Sequence, residues 1–359
     1  MSSPLESLPV ELLDEVFFYL DHNPPSEDQV YQKPEHSITK SSERNLKHLA
    51  ASCSRLAFLI RPRLFVHARL GLHENLDGFC KFFIRWELGP RVKSVVISLP
   101  TDYVVQPHTC IQLARVFNIL DPHRITILAP PRVIGELLDT TIDEKDGWAF
   151  EIRLQILQLT QDKHGDPSAY HTSRTNSPTM ILGVRPWTAF YFNEGSSLKA
   201  YNHYEYYLSQ VPSVLGQWGK EFLRVPPTPK LSTSLQGLRE LTYIAVLPFY
   251  NHVDHICAVM QRMPQLRVVT VQLAPGHNDR ATELEQRGSM DQNDPWMELE
   301  SSYSIIGFQV RTVPSVTEFC SRDYHIEAVR SQLTRTLDEG FRNNWTHDGE
   351  GTWRRHRME

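Results

Sequence analysis

Apolar residues at Leu5, Leu8, Leu12, Leu13, Val16, Phe17 and Leu20 recur at spacings of three, four and one, which lays them along one face of a helix. Pro9 falls in the first turn, where its missing N–H does no harm and its fixed φ favours initiation. The pattern then breaks. Asp21 to Asn45 is polar and punctuated by Pro24, Pro25 and Pro34, so it reads as a surface loop. Helical spacing resumes through Leu46, Leu49, Ala50 and Cys53, then Leu56, Leu59 and Ile60, and Pro62 stops it. Three short helices around a small apolar centre are predicted for residues 1–66.

From about Val92 the texture changes to short β-rich runs, several closing on proline: Val92 to Pro100, Arg124 to Pro130, Leu238 to Pro248 and Leu266 to Pro275. Two of them open alike, Leu238-Arg239 and Leu266-Arg267, 28 positions apart, within the period of leucine-rich repeats. Between them lies a helical stripe of Val253, Ile256, Cys257, Met260 and Met263. Ile111 to Leu120 followed by Arg124 to Pro130 has the same helix–turn–strand order. This alternation predicts parallel strands joined by crossovers, side by side with helices on one side. The expected fold class is α/β: a small all-α module, then an irregular leucine-rich-repeat-like solenoid over residues 67–341. Leu241, Ile244 and Val246 are apolar on both parities, which predicts a strand buried on both sides or a bulge.

Gln161 to Pro178, Leu223 to Lys230 and Gly276 to Pro295 read as surface loops. A last helix is predicted over Tyr324 to Leu337, with Gly340 as its stop. Residues 342–359 read as a polar tail, with the basic run around Arg354 and Arg357 in solvent.

Composition narrows the function classes. In 359 residues, 37 Lys+Arg stand against 42 Asp+Glu, a formal net of −5, without the basic excess of a nucleic-acid binder. Cys53, Cys80, Cys110, Cys257 and Cys320 are dispersed and odd in number, which suggests a reducing compartment, the cytosol or nucleus. The amino terminus lacks a basic n-region, and no stretch reaches the ~18 apolar residues of a membrane helix. Asn344-Trp345-Thr346 is then a chance glycosylation match.

Catalytic signatures are poor. There is no G-x-S-x-G, H-E-x-x-H or C-x-x-C, and Gly216 to Lys220 is no phosphate loop, because Glu221 stands where a hydroxyl would hold Mg²⁺. His252-x-x-His255-x-Cys257 places two imidazoles near each other on a helix but lacks a second ligand pair. A metal site completed by His164, His171 and Asp166 from a loop is the alternative; surface or core-edge histidines are the expectation. The cysteines read as small buried hydrophobes. Phe190-Tyr191-Phe192 and Tyr201, Tyr204, Tyr206 and Tyr207 read as packing, with a partner pocket as the alternative. No metal or cofactor is expected.

Three segments in order carry a family resemblance: Leu8-Pro9-Val10-Glu11-Leu12-Leu13-Asp14-Glu15-Val16-Phe17-Phe18-Tyr19-Leu20, then Leu46-x-x-Leu49-x-x-x-Cys53-Ser54-Arg55-Leu56, then Ile60 to Phe65 around Pro62. Together they resemble the F-box, and the layout is similar to fungal F-box proteins. The resemblance covers about residues 5–66 and departs at Asp21 to Asn45, where family members pass between helices over a few residues. Lengthening a surface loop costs little, since closure entropy grows logarithmically. The resemblance implies a non-catalytic adaptor that docks on the Skp subunit of a cullin–RING ubiquitin ligase and captures an unknown protein substrate. Matched motif positions, and hence expected Skp-docking residues, are Leu8, Pro9, Leu12, Val16, Leu20, Leu46, Leu49, Cys53, Leu56 and Pro62. Two rivals are a scaffold working outside a ligase and an enzyme with a scattered site such as His252, Asp254 and His255.

Overall fold

Ten strands build one sheet: β1 (His67–Leu70), β2 (Ser94–Ser98), β3 (Arg124–Ala129), β4 (Gln155–Thr160), β5 (Ala189–Ser196), β6 (Glu240–Val246), β7 (Val268–Gln272), β8 (Glu318–Ser321), β9 (Trp345–His347) and β10 (Thr352–Arg355). They stand in the order β1-β2-β3-β4-β5-β6-β7-β8-β10-β9 in a computed structural model that describes residues 4–5, 7–20, 23–40, 44–72, 75–162, 178–276, 279–285, 288 and 290–356. Neighbours run parallel except at β4, antiparallel to β3 and β5, and at β10, antiparallel to β8 and β9. The fold is mixed α/β. The four strands read from the sequence all point the same way, but they form two pairs, β2–β3 and β6–β7, with β4 and β5 between them.

Strand alternation sets the two faces. Val95, Ile97, Ile125, Ile127, Leu157, Leu159, Phe190, Phe192, Leu241, Tyr243, Val269, Val271 and Phe319 share one large core with the helical residues Leu113, Phe117, Trp218, Ile256, Tyr303 and Leu337. β6 is buried at every position from Leu241 to Val246, which explains its apolar run on both parities. A register shift between Asn193 and Ser196 marks an irregularity where β5 meets β6.

The other face is covered by the segment expected as a loop. Residues 24–40 lie on the sheet, with Ser26, Val30, Ile38 and Thr39 buried, and Val30 and Ile38 pack on Leu128 and Ile156. The segment's few apolar residues are too scattered to show a period, so its burial escapes pattern reasoning. It is a strap, not a tolerated surface loop.

Other expectations also need correcting. The helix Ser54–Leu64 runs through Pro62, which sits in its last turn. Gly340 does not stop the last helix, which spans Glu327–Phe341. It is glycine because that helix crosses Asp294–Thr312 there, and a Cβ on Gly340 would stand 2.9 Å from the Cα of Gly307. A short helix, Ala281–Glu285, lies within the expected Gly276 to Pro295 loop. Most of the Gln161 to Pro178 loop, including His164, Asp166 and His171, lies outside the described residues.

Residues 345–355 are not a tail. They supply β9 and β10, joined through Gly349 and Gly351, whose φ of +84° and +92° suit glycine. Trp353 is 1% exposed, packs on Phe319 and Phe341, and donates from Nε1 to Asp338 at 2.8 Å. Arg355 donates from Nη2 to the carbonyls of Val310, Arg311 and Val313 at 3.2, 3.0 and 2.9 Å, gathering the acceptors at the end of the helix Asp294–Thr312.

Asp323, fully buried beyond β8, accepts from the backbone N–H groups of Leu273 and Ala274 at 2.6 and 3.0 Å and from the Tyr303 hydroxyl at 2.5 Å. Burial raises its pKa to about 6, against the opposing pull of those three donors. An unfolded Asp titrates near 4. Between those values the folded chain therefore holds more protons than the unfolded one, and stability falls as pH rises, then levels off above the folded pKa. The urea midpoint of the wild type, taken relative to Asp323→Asn, should drop from pH 4 to pH 6.5 and stay constant above pH 7. A difference independent of pH would show that this carboxyl titrates normally.

Candidate protein-docking site

In the helix Val10–Leu20, Leu13 and Phe17 stand one turn apart and are fully buried. They pack with Leu46, Leu56 and Ile60, and half-buried Leu5, Leu8, Leu20, Leu49, Cys53 and Leu64 close a cluster separate from the core of the sheet. The three helices Val10–Leu20, Arg44–Ser52 and Ser54–Leu64 enclose it. Cys53 caps the third: its Sγ accepts from the Leu56 N–H at 3.4 Å. Arg63 pairs with Asp14 at 3.2 Å, and Arg55 donates to the Leu8 carbonyl at 3.1 Å, tying the first helix to the last.

The ten positions singled out in the sequence therefore divide. Leu46 and Leu56 are buried inside the cluster. Leu8, Val16, Leu20, Leu49, Cys53 and Pro62 are half-buried. Pro9 and Leu12 are open to solvent, Leu12 at 48%. Pattern reasoning assigned no role to Val10, Phe18, Tyr19 and Phe58, which are exposed at 42%, 70%, 79% and 68%. The signal was present: Phe18 and Tyr19 follow Phe17 at ~100° per residue and cannot share its buried face. Several large apolar side chains are thus exposed together on a small unit.

A second surface is the strap-covered face of the sheet. One lateral row across it reads Ser98, Leu128, Ile156, Asn193, Ile244 and Gln272, each the register partner of the next. The strap tracks this row. Gln158 Nε2 donates to the Ser26 carbonyl at 3.0 Å, and Asn193 Nδ2 donates to those of Val30 and Gln32 at 2.8 Å each. Gln272 Nε2 donates to the Tyr31 carbonyl at 3.2 Å. Side chains add to these backbone contacts. Glu27 pairs with Arg124 at 2.9 Å, which lowers the Glu27 pKa, and the Arg322 guanidinium stacks 3.5 Å over the Tyr31 ring.

A third feature is a small cleft of about 50 Å³ bordered by Asp143, Gln210, Lys220, Asn251, His252 and His255. Beneath it the buried Glu194 gathers three donors. Tyr243 Oη and His252 Nε2 each meet its Oε2 at 2.8 Å, and the Ser213 hydroxyl donates to its Oε1. Ser213 Oγ also accepts from the Gly216 N–H at 3.3 Å and so caps the helix Val214–Phe222. Both capacities of that hydroxyl are spent on holding structure. Asp254 does not border the cleft; its carboxylate accepts from Gln309 at 3.4 Å. Burial lowers the His255 pKa. Among the described residues no three His, Cys, Asp or Glu side chains converge as a metal site would need. Cys80, Cys110 and Cys257 are buried, and burial pushes the Cys110 thiol up to about 12. Phe190, Phe192 and Tyr201 pack inside, whereas Tyr204 and Tyr207 lie outside at 94% and 50% exposure.

No helix among the described residues is long and apolar enough to cross a membrane. Comparison with models of protein families, with curated proteins and with solved structures finds no match.

Proposed function

We propose that this chain is an F-box substrate-recognition adaptor, docking through its amino-terminal helices on the Skp subunit of a cullin–RING ubiquitin ligase and presenting a captured protein for ubiquitination. The observation that carries this reading is the exposed apolar set on the helix Val10–Leu20, with Pro9 and Leu12 in the motif positions and Tyr19 beside them. The sheet supports the repeat-like half of the reading. Register partners His67↔Ser94 and Glu240↔Val268 stand 27 and 28 positions apart, within the period of leucine-rich repeats, whereas Ser94↔Arg124, Ala189↔Glu240 and Val268↔Glu318 stand 30, 51 and 50 apart, so the repeat is irregular. Such an adaptor performs no bond chemistry itself. It raises the effective concentration of substrate lysines near the charged conjugating enzyme.

Leu12→Glu is the direct test, because Leu12 is exposed and the helix tolerates glutamate. A charge placed in the centre of an apolar interface should weaken coprecipitation of the Skp adaptor by about 30-fold or more, while circular dichroism and melting stay unchanged. A folded Leu12→Glu variant that still captures the adaptor would overturn the assignment. Copurification of a cullin separates ligase membership from a scaffold that binds the adaptor alone.

A further inference from the structure

The strap makes contacts of a kind that a bound peptide makes, and the sheet offers it groups that no sheet needs for its own ladder. Asn193, Gln158 and Gln272 point amide donors off the sheet face, and four backbone carbonyls of the strap receive them. Each of these donors is fixed by the strand it stands on, so their spacing is set by the sheet and not by the strap. Three side-chain positions complete the fit. An acidic residue, Glu27, meets Arg124; an apolar one, Val30, enters the Leu128 and Ile156 patch with Leu154 at its edge; an aromatic one, Tyr31, lies under Arg322. Both ends of the strap return to the helical module, so the segment crosses the sheet as an excursion, out past β3 and β5 to β7 and back to β2, where His36 meets Ser98 at 3.3 Å.

We propose that this face is a peptide-recognition groove and that the strap is its resident pseudo-ligand, occupying the place of a partner protein's segment of consecutive turns with the pattern acidic-x-x-apolar-aromatic. The amide donors read main-chain carbonyls that single turns leave open, Ser26 in the one-turn helix Pro25–Asp28 and Val30 to Gln32 in the turn after it, whereas the interior of a longer helix spends its own. Arg124 and Arg322 set the order of the acidic and aromatic side chains. A partner displaces the strap by supplying the same contacts from outside, and its competition is set by the strap's effective concentration. That such a partner is a ligase substrate rests on the adaptor reading; the groove's chemistry stands apart from it.

The test uses the full chain and a fluorescein-labelled synthetic peptide with the sequence of residues 23–40, followed by anisotropy. The triple variant Glu27→Ala, Val30→Ser, Tyr31→Ala loosens the strap and leaves every groove residue in place. It should bind the peptide saturably and at least 30-fold more tightly than the wild type, whose groove is filled. Adding Asn193→Ala, which removes the donor to two carbonyls, should weaken that binding at least tenfold. A peptide carrying the same three substitutions should bind no better to the triple variant than to the wild type. Absence of saturable binding by a triple variant with native circular dichroism overturns the proposal, as does equal binding by wild type and all variants. If the triple variant loses native dichroism, Tyr31→Ala alone replaces it, with the same order of affinities expected at a contrast of about fivefold and the same two overturning results. Capture of the Skp adaptor by each variant is measured in parallel, so a defect of the docking module and a failure of the groove are told apart.

Discussion

A chain ending at Phe341 should lose most of its stability, although it lacks only residues first read as a polar tail. The truncation removes β9 and β10, leaves the β8 edge unpaired, and uncovers Phe319 and Phe341. It also takes away Arg355, whose guanidinium fills three carbonyls at the end of the helix Asp294–Thr312. Trp353 alone is worth about 3–5 kcal/mol by the usual cost of truncating a buried tryptophan. Whole domains hold about 5–15 kcal/mol, so the deletion should bring the chain close to unfolding at room temperature. Urea midpoints of the truncated chain and of Trp353→Ala decide this. An unchanged midpoint in the truncation would mean that the sheet ends functionally at β8.

The second large effect is expected at Glu194. Its carboxylate is 1% exposed and holds Ser213, Tyr243 and His252 at once, linking β5 to β6 and to the helices Val214–Phe222 and Tyr250–Met260. Glu194→Ala strands three buried polar groups, Ser213, Tyr243 and His252. Leaving a buried polar group without its partner costs about 1–3 kcal/mol for each group, so three together amount to several kcal/mol. The variant should melt well below the wild type, and Glu194→Gln, which keeps the shape and part of the hydrogen bonding, should fall between them. Equal melting of Glu194→Ala and the wild type would show that the cluster relaxes without loss.

How far the sequence revealed this architecture depends on whether an element carries a period. The amino-terminal helices do, through Leu13, Phe17, Leu46, Leu56 and Ile60. So do β2, β3, β6 and β7, and the 28-position likeness of Leu238-Arg239 and Leu266-Arg267 is the register offset of β6 and β7. The reversed direction of β4 was not readable, because side-chain alternation is the same in both senses. The helix Asp294–Thr312 carries a legible stripe in Leu299, Tyr303, Ile306 and Val310, yet polar residues on its flanks mask it. In the amino-terminal helices a motif ranks residues by type, while exposure depends on which neighbours cover them; Leu12 and Leu56 match equally, yet one is exposed and the other buried. The strap was the least legible element. Its only sequence trace is on the other partner, where Gln158, Asn193 and Gln272 stand mid-sheet in positions that an ordinary half-buried strand fills with apolar or solvated groups.

The same strap fixes an order of events during synthesis. The Ser26 carbonyl meets a residue 132 positions later, those of Val30 and Gln32 meet one 163 and 161 positions later, and that of Tyr31 meets one 241 positions later. At ~5–20 residues per second, roughly 10–50 s separate the emergence of Tyr31 from that of its partner strand. For most of that interval the helices on either side of the strap are outside the ribosome, while their long connection gains its anchors one strand at a time. The nascent chain thus presents its amino-terminal module free of the sheet first, and the tether between them forms stepwise, at Arg124, Gln158 and Asn193, and is complete only once β7 has been made.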